Sequence, residues 1–208
     1  TKGGLHVKLF YSPTSPYVRK VMVLLHETGQ LNDVALEPTS GTPLAPAEGF
    51  AVRNPLTKVP ALERPDGCTL YDSRVICAYL DDRAGAGLYP QGASRWDTLT
   101  LEATADGMLD AALAMVYEGK LRPEDKRMAE WVEGQWGKVE RACKTLNNQW
   151  AAHLAGPLDM GQIALGCALG YVDFRHGARD WRAGNPDLAA WFDNFDSRPA
   201  MTHTAPPQ

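Results

Sequence analysis

A serine followed by proline, where a strand-like run gives way to a helix-like one, is the first place where this 208-residue sequence puts chemistry within reach. Serine is a preferred N-cap and proline is pre-set for the first helical position, so Ser15-Pro16 reads as a helix start. The Ser15 hydroxyl can accept from the Val18 N–H and still has its own proton to donate. A helix N-terminus favours negative charge, and a thiol brought there ionises more easily. A free thiol has a pKa of about 8.5, so a depression of roughly two units leaves it mostly thiolate at neutral pH. Asp72-Ser73 repeats the pattern before another helical run, where a hydroxyl and backbone N–H groups make an anion site. From local sequence alone either serine can be only a cap, the commoner role. Ser12 and Thr14 lie close enough to rival Ser15, whereas Tyr11 falls on the strand.

Other chemistries find less support. The four cysteines, Cys68, Cys77, Cys143 and Cys167, form no C-x-x-C pair, and the five histidines do not cluster with them. No metal is expected. Free, mostly interior thiols are expected instead, in a reducing compartment, hence the cytoplasm. A net charge of −4 leaves no basic footprint for nucleic acid. No apolar run approaches the roughly 18 residues that span a bilayer. The polar, glycine-bearing stretch 1–6 has no charged-then-apolar leader pattern.

The elements that must position these residues follow from periodicity. Residues 6–11 read as a buried strand. Val18, Val21, Met22 and Leu25 mark one helix face, and Gly29 is a plausible stop. Residues 33–38 form a short strand, and 39–54 a weak helix with loops. Residues 59–63 and 68–71 form strands joined by the Asp66-Gly67 turn. Ser73 caps a helix carrying Val75, Ile76, Tyr79 and Leu80. The order βαβαββα makes a four-stranded mixed sheet with helices on it.

All six tryptophans lie between Trp96 and Trp191, and the small-residue stretch 84–90 precedes them. It reads as a linker between domains 1–84 and 91–208. The second half is helical throughout. Leu109, Ala112, Leu113 and Val116 form a stripe. Pro123 with Glu124 and Asp125 opens a helix. Asp159 and Gln162 have capping-box spacing, a structural role. Asn185-Pro186 starts a last helix with the stripe Leu188, Trp191, Phe192 and Phe195, which is core.

Residues 11–20 (YSPTSPYVRK), 54–62 (NPLTKVPAL) and 70–76 (LYDSRVI) resemble, in order and spacing, the cytosolic-type bacterial glutathione S-transferase family. Residues 159–175 resemble the buried helix of that family's second domain. The resemblance implies an α/β plus all-α architecture. A thioredoxin-like domain binds glutathione, and an all-helical bundle domain forms the second-substrate pocket. It implies detoxification by attack of the glutathione thiolate on a small hydrophobic electrophile, in a homodimer. Ser15 matches the position that contacts the glutathione sulfur. Because serine forms no disulfide, conjugation or glutathione-dependent isomerisation is favoured over thiol transfer. A peroxidase activity, or a non-catalytic interaction module on the same fold, remains an alternative.

The resemblance further implies a cis Val59–Pro60 bond, with the Val59 N–H and C=O pairing with the cysteinyl unit of glutathione like an added strand. Lys58 would reach the glycyl carboxylate. Ser73 would hold the γ-glutamyl carboxylate and Asp72 the γ-glutamyl ammonium. Many members have Glu at the latter position, so Asp is a shorter variant. Asp106, Met108, Asp110 and Tyr117, on the first helix of the second domain, are candidates for the second-substrate pocket.

Overall fold

The computed structural model describes residues 7–207, so position 6 of the expected first strand and position 208 lie outside the described residues. The chain divides into two compact units. One runs to Leu88 and takes back the chain from His203 onward; the other is Tyr89–Thr202. The last residues were expected in the helical domain. Instead Arg19 Nε donates to Thr204 Oγ1 at 3.5 Å, and the His26 and His203 rings stack at 5.6 Å, so this end belongs with the first unit.

In the first unit β1 (Val7–Tyr11) leads through a short loop to α1 (Pro16–Glu27), then to β2 (Val34–Pro38), β3 (Ala61–Glu63), β4 (Thr69–Leu70) and α2 (Ser73–Ala84). The sheet order is β2-β1-β3-β4, with β1 parallel to β2 and antiparallel to β3, and β3 antiparallel to β4. This is the thioredoxin-like half. Successive strand residues face opposite ways. Leu9 is fully buried, as are Val21, Leu24 and Leu25 of α1 and Ile76 and Leu80 of α2. Phe10 belongs to a separate cluster with Phe50 and Ala61, its ring 5.3 Å from that of Phe50.

Two expectations change here. The weak helix over 39–54 is a single 3-10 turn, Phe50–Val52, preceded by Gly49 at φ 70°. Val75 is exposed and Cys77 is buried in its place, which rotates the buried face of α2.

The second unit contains, among the described residues, α3 (Ser94–Lys120), α4 (Ala129–Gln149), α5 (Ala151–Leu154), α6 (Met160–His176), α7 (Pro186–Asp196) and α8 (Pro199–His203), whose last residue passes into the first unit. The acidic turn after Pro123 does not open α4. It closes as one 3-10 turn, Glu124–Lys126. The buried Glu118 carboxylate takes the Met128 N–H at 3.0 Å and Arg122 Nε at 2.7 Å, which holds the chain extended there and delays the helix to Ala129.

α6 is buried nearly throughout and lies beside α3, running the same way. A Cβ on Gly161 would meet Thr98 O and Leu101 Cβ, both at 2.9 Å, while His176 Nε2 lies 2.9 Å from Ala112 O. A carbonyl only accepts, so His176 carries its proton on Nε2. The α6 start is secured by Asp159, whose Oδ1 accepts from Gln162 N at 2.9 Å. Its Oδ2 accepts from Thr98 Oγ1 at 2.6 Å and faces His153 Nε2 at 2.7 Å. The forward half of the expected capping box is therefore present. The Gln162 side-chain nitrogen donates to His153 O at 3.0 Å rather than back toward the cap.

Gly161→Ala is expected to lower stability. Alanine gains about 1 kcal/mol of helix propensity over glycine, but overpacking against a backbone carbonyl costs about 1–3 kcal/mol. Gly134→Ala on α4, where nothing lies within 4 Å of the new Cβ, keeps only the gain. Thermal melts of opposite sign check the pair.

Burial lowers the His176 pKa from 6.5; the hydrogen bond to Ala112 opposes this, and the charges of Arg179 and Arg175 add to it. The folded chain thus binds this proton less readily than the unfolded one. The stability it confers is complete above about pH 6.5 and is lost as pH falls through the lower folded value. Tm measured from pH 8 to pH 5 should fall, and less steeply in His176→Gln.

Candidate functional site

The strand registers decide which loops meet. β1 and β3 pair Phe10 with Ala61, and β3 and β4 pair Leu62 with Leu70. Continuing each antiparallel register by one step sets Tyr11 beside Pro60 and Ala61 beside Tyr71. The end of β1, the start of β3 and the end of β4 therefore open on the same end of the sheet. Ser15, Lys58-Val59-Pro60 and Asp72-Ser73 all lie in the segments that leave or enter there.

At the first of these, Ser15 has extended backbone and caps α1. Its Oγ accepts from Val18 N at 3.3 Å, with Pro16 as the first helical residue. One lone pair is thereby used and the hydroxyl proton remains to be donated. Ser12 Oγ and Thr14 Oγ1 face one another at 3.4 Å, and Ser12 O accepts the Ser15 N–H at 3.1 Å. Ser12 is half-buried, and Thr14 is exposed.

At the second helix start the cap is Asp72, not Ser73. Asp72 Oδ1 accepts from Arg74 N at 3.0 Å, and Oδ2 pairs with Arg74 Nη2 at 3.0 Å. Ser73 is the first helical residue and is buried. An ionised carboxylate is the stronger acceptor for the N-terminal amides, so the acid takes the cap when the two stand together. Burial pushes the Asp72 carboxyl up, but the Arg74 side chain and N–H, together with the Arg74 and Lys20 charges, outweigh it and hold the carboxyl below 3.8. Asp72 is a carboxylate at neutral pH.

Between these two lies the loop before β3. The Val59–Pro60 bond is cis. Lys58 is exposed, Val59 half-buried and Pro60 buried. Asn54 is 2% exposed. Its Nδ2 donates to Lys58 O at 2.8 Å, its Oδ1 accepts from Leu56 N at 3.0 Å, and its own carbonyl accepts from Thr57 N at 2.8 Å. Thr57 sits at φ 51°, a left-handed conformation that non-glycine residues seldom adopt. Sequence reasoning missed Asn54 as a site residue. The available signal was the Asn-Pro pair, a marker of turns.

Of the candidates on α3, Asp106 and Met108 are buried, Asp110 is exposed and Tyr117 is half-buried. The cysteines offer no rival nucleophile in the interior. Cys77, Cys143 and Cys167 are buried, and burial pushes the Cys143 thiol up to about 12. Among the described residues no group of His, Cys, Asp and Glu could hold a metal ion, and no helix is long and apolar enough to cross a membrane.

Comparison with known proteins shows the family. Residues 14–83 match the family model described as glutathione S-transferase, N-terminal domain, and residues 129–194 match its C-terminal domain. The GST-like protein YibF of Escherichia coli K12, itself uncharacterized, is 32% identical over 97% of this chain and 100% of its own length. A glutathione transferase family member from Pseudomonas fluorescens Pf-5, with bound glutathione, is 48% identical over 97% of this chain and 100% of its own, with a TM-score of 0.95. That family member also has a structure with bound S-(propanoic acid)-glutathione. A glutathione S-transferase from Methylobacillus flagellatus KT with glutathione bound is 39% identical over 97% of this chain and 100% of its own, with a TM-score of 0.86.

Proposed function

The chain belongs to the glutathione S-transferase family, and from that premise we propose that it binds glutathione and activates its thiol for attack on a small electrophile, a detoxifying conjugation. The observation that carries the reading is the Ser15 cap. The hydroxyl has accepted its backbone partner and has a proton left for a sulfur at the front of α1. A hydrogen bond to an ionised acceptor is about twice as strong as a neutral one, and the positive end of the helix adds to it.

The remaining contacts follow the tripeptide. The Val59 N–H and C=O pair with the cysteinyl backbone beside Pro60. Lys58 reaches the glycyl carboxylate. Ser73 and the first amides of α2 take the γ-glutamyl carboxylate, and the Asp72 carboxylate takes the ammonium. The depressed Asp72 pKa supports this last role, because the acid is charged at neutral pH, where the ammonium is also charged. The glutathione-bound Pseudomonas and Methylobacillus relatives support glutathione as the ligand.

In the chemical step the sulfur lone pair forms a bond to an electrophilic carbon, and the leaving group departs with its electron pair. Ser15 stabilises the thiolate before attack, and the enzyme's contribution is activation and positioning. A glutathione carrying a propanoic acid group on sulfur, bound by the Pseudomonas relative, supports a site that tolerates a substituent there. Asp106, Met108, Asp110 and Tyr117 are proposed to shape that second pocket. The free thiols support a reducing compartment, the cytoplasm. The exposed Val52 (84%), Leu56 (62%) and Val75 (48%) of the first unit support a surface covered by a second copy in a homodimer.

Ser15→Ala is expected to raise the pKa of the bound thiol and to cut turnover of a model electrophile at least tenfold, while calorimetric affinity for glutathione changes little. Unchanged turnover sinks the assignment of Ser15. Asp72→Ala should instead weaken glutathione binding. Sedimentation equilibrium is expected to return twice the chain mass; a monomer at micromolar concentration refutes the dimer.

A further inference from the structure

The peptide group joining Lys58 to Val59 is held from one side only. Asn54 Nδ2 donates to its carbonyl oxygen, Lys58 O, at 2.8 Å. The other half of that planar group, the Val59 N–H, has no hydrogen-bond partner among the described residues. In a trans peptide the N–H and C=O point in opposite directions. Fixing the carbonyl on Asn54 therefore aims the Val59 N–H away from the loop.

Asn54 is itself held. Its own N–H donates to Phe50 O at 3.1 Å, and Phe50 is anchored in the cluster with Phe10 and Ala61. Its side chain has no rotational ambiguity, because Leu56 N–H can only donate to it and Lys58 C=O can only accept. The bond from Thr57 N to Asn54 O closes the same loop and keeps Thr57 in its left-handed conformation. A buried amide satisfied at both ends, on a core-anchored turn, is what preorganisation of a backbone donor requires.

We propose that Asn54 is a positioning residue for ligand binding, aiming the Val59 N–H at the backbone carbonyl of the bound tripeptide. This rests on the glutathione reading above. Asn54 touches no substrate atom in this role and does not act on the thiol, which Ser15 governs from another element.

The test compares wild type, Asn54→Ala and Asn54→Asp. Asp keeps the acceptor for Leu56 N–H but sets a carboxylate oxygen against Lys58 O, so it replaces the aiming bond with repulsion between two acceptors. The readouts are glutathione affinity by calorimetry, the pKa of the bound thiol, kcat at saturating glutathione, and hydrogen exchange of the Leu56 and Val59 amides. Both variants are expected to bind glutathione roughly ten- to a hundredfold more weakly, the size of one or two lost hydrogen bonds. The bound-thiol pKa should be unchanged and kcat should stay within about twofold of wild type, so the loss falls on KM. In Asn54→Asp the Leu56 amide should remain protected.

Affinity within twofold of wild type in a folded Asn54→Asp overturns the proposal, and so does a loss falling on kcat and the thiol pKa. A wild type that does not bind glutathione overturns the parent reading as well. The two failures are thus told apart by the wild-type titration. If Asn54→Ala fails to fold, Asn54→Asp alone decides.

Discussion

Hydrogen bonding of β1 on both of its edges is the constraint on which the first unit depends. Among the described residues β1 is the strand that pairs with both β2 and β3, in the order β2-β1-β3-β4. Its parallel pairing with β2 requires a crossover, and α1 supplies it. Its antiparallel pairing with β3 sets the start of β3 beside the end of β1. A slip of one residue would turn Leu9 out of the core and Phe10 away from Phe50. Burial of those two side chains on opposite faces thus fixes the register, and the register fixes where Ser15, Val59 and Asp72 emerge.

The two helix starts at that end use their polar side chains differently. At α1 the cap is a neutral hydroxyl that accepts from one amide and can still donate. At α2 the cap is a carboxylate, which can only accept, and Arg74 and Lys20 keep it charged. A group that can still donate stands at one helix start, and a fixed negative charge stands at the other. Residue chemistry rather than backbone geometry separates the two roles, because both helices present the same unpaired amides.

Close packing governs the second unit. Gly161 lets α6 approach the α3 backbone, and Gly166 leaves room for the Phe195 ring, which a Cβ would meet at 2.5 Å. Glycine is used at both positions for closeness and at some cost in helix propensity. The Asp159 carboxylate, engaged by Thr98, His153 and Gln162 together, ties the start of α6 to α3 and to α5. Cap and packing reinforce each other there, since a frayed first turn would pull Gly161 out of contact.

Periodicity and turn residues alone determined much of this. The strands near 7–11, 34–38, 61–63 and 69–70, the helix after Ser15-Pro16, and α7 after Asn185-Pro186 are local events, driven by side-chain spacing and by backbone preferences of single residues. The Ser15 cap was equally local, because a cap spans three residues. Tertiary structure decided whatever depends on partners distant along the chain. Glu118 captured the Met128 N–H across ten residues and moved the start of α4. Thr204 and His203 returned to α1 across more than 170 residues, against the expected domain limit. Asp72 displaced Ser73 as cap in a setting that includes the Lys20 charge from α1. The role of Asn54 became visible only once its amide was seen against Lys58 O, because an amide side chain carries no periodicity and its partner is chosen by the fold.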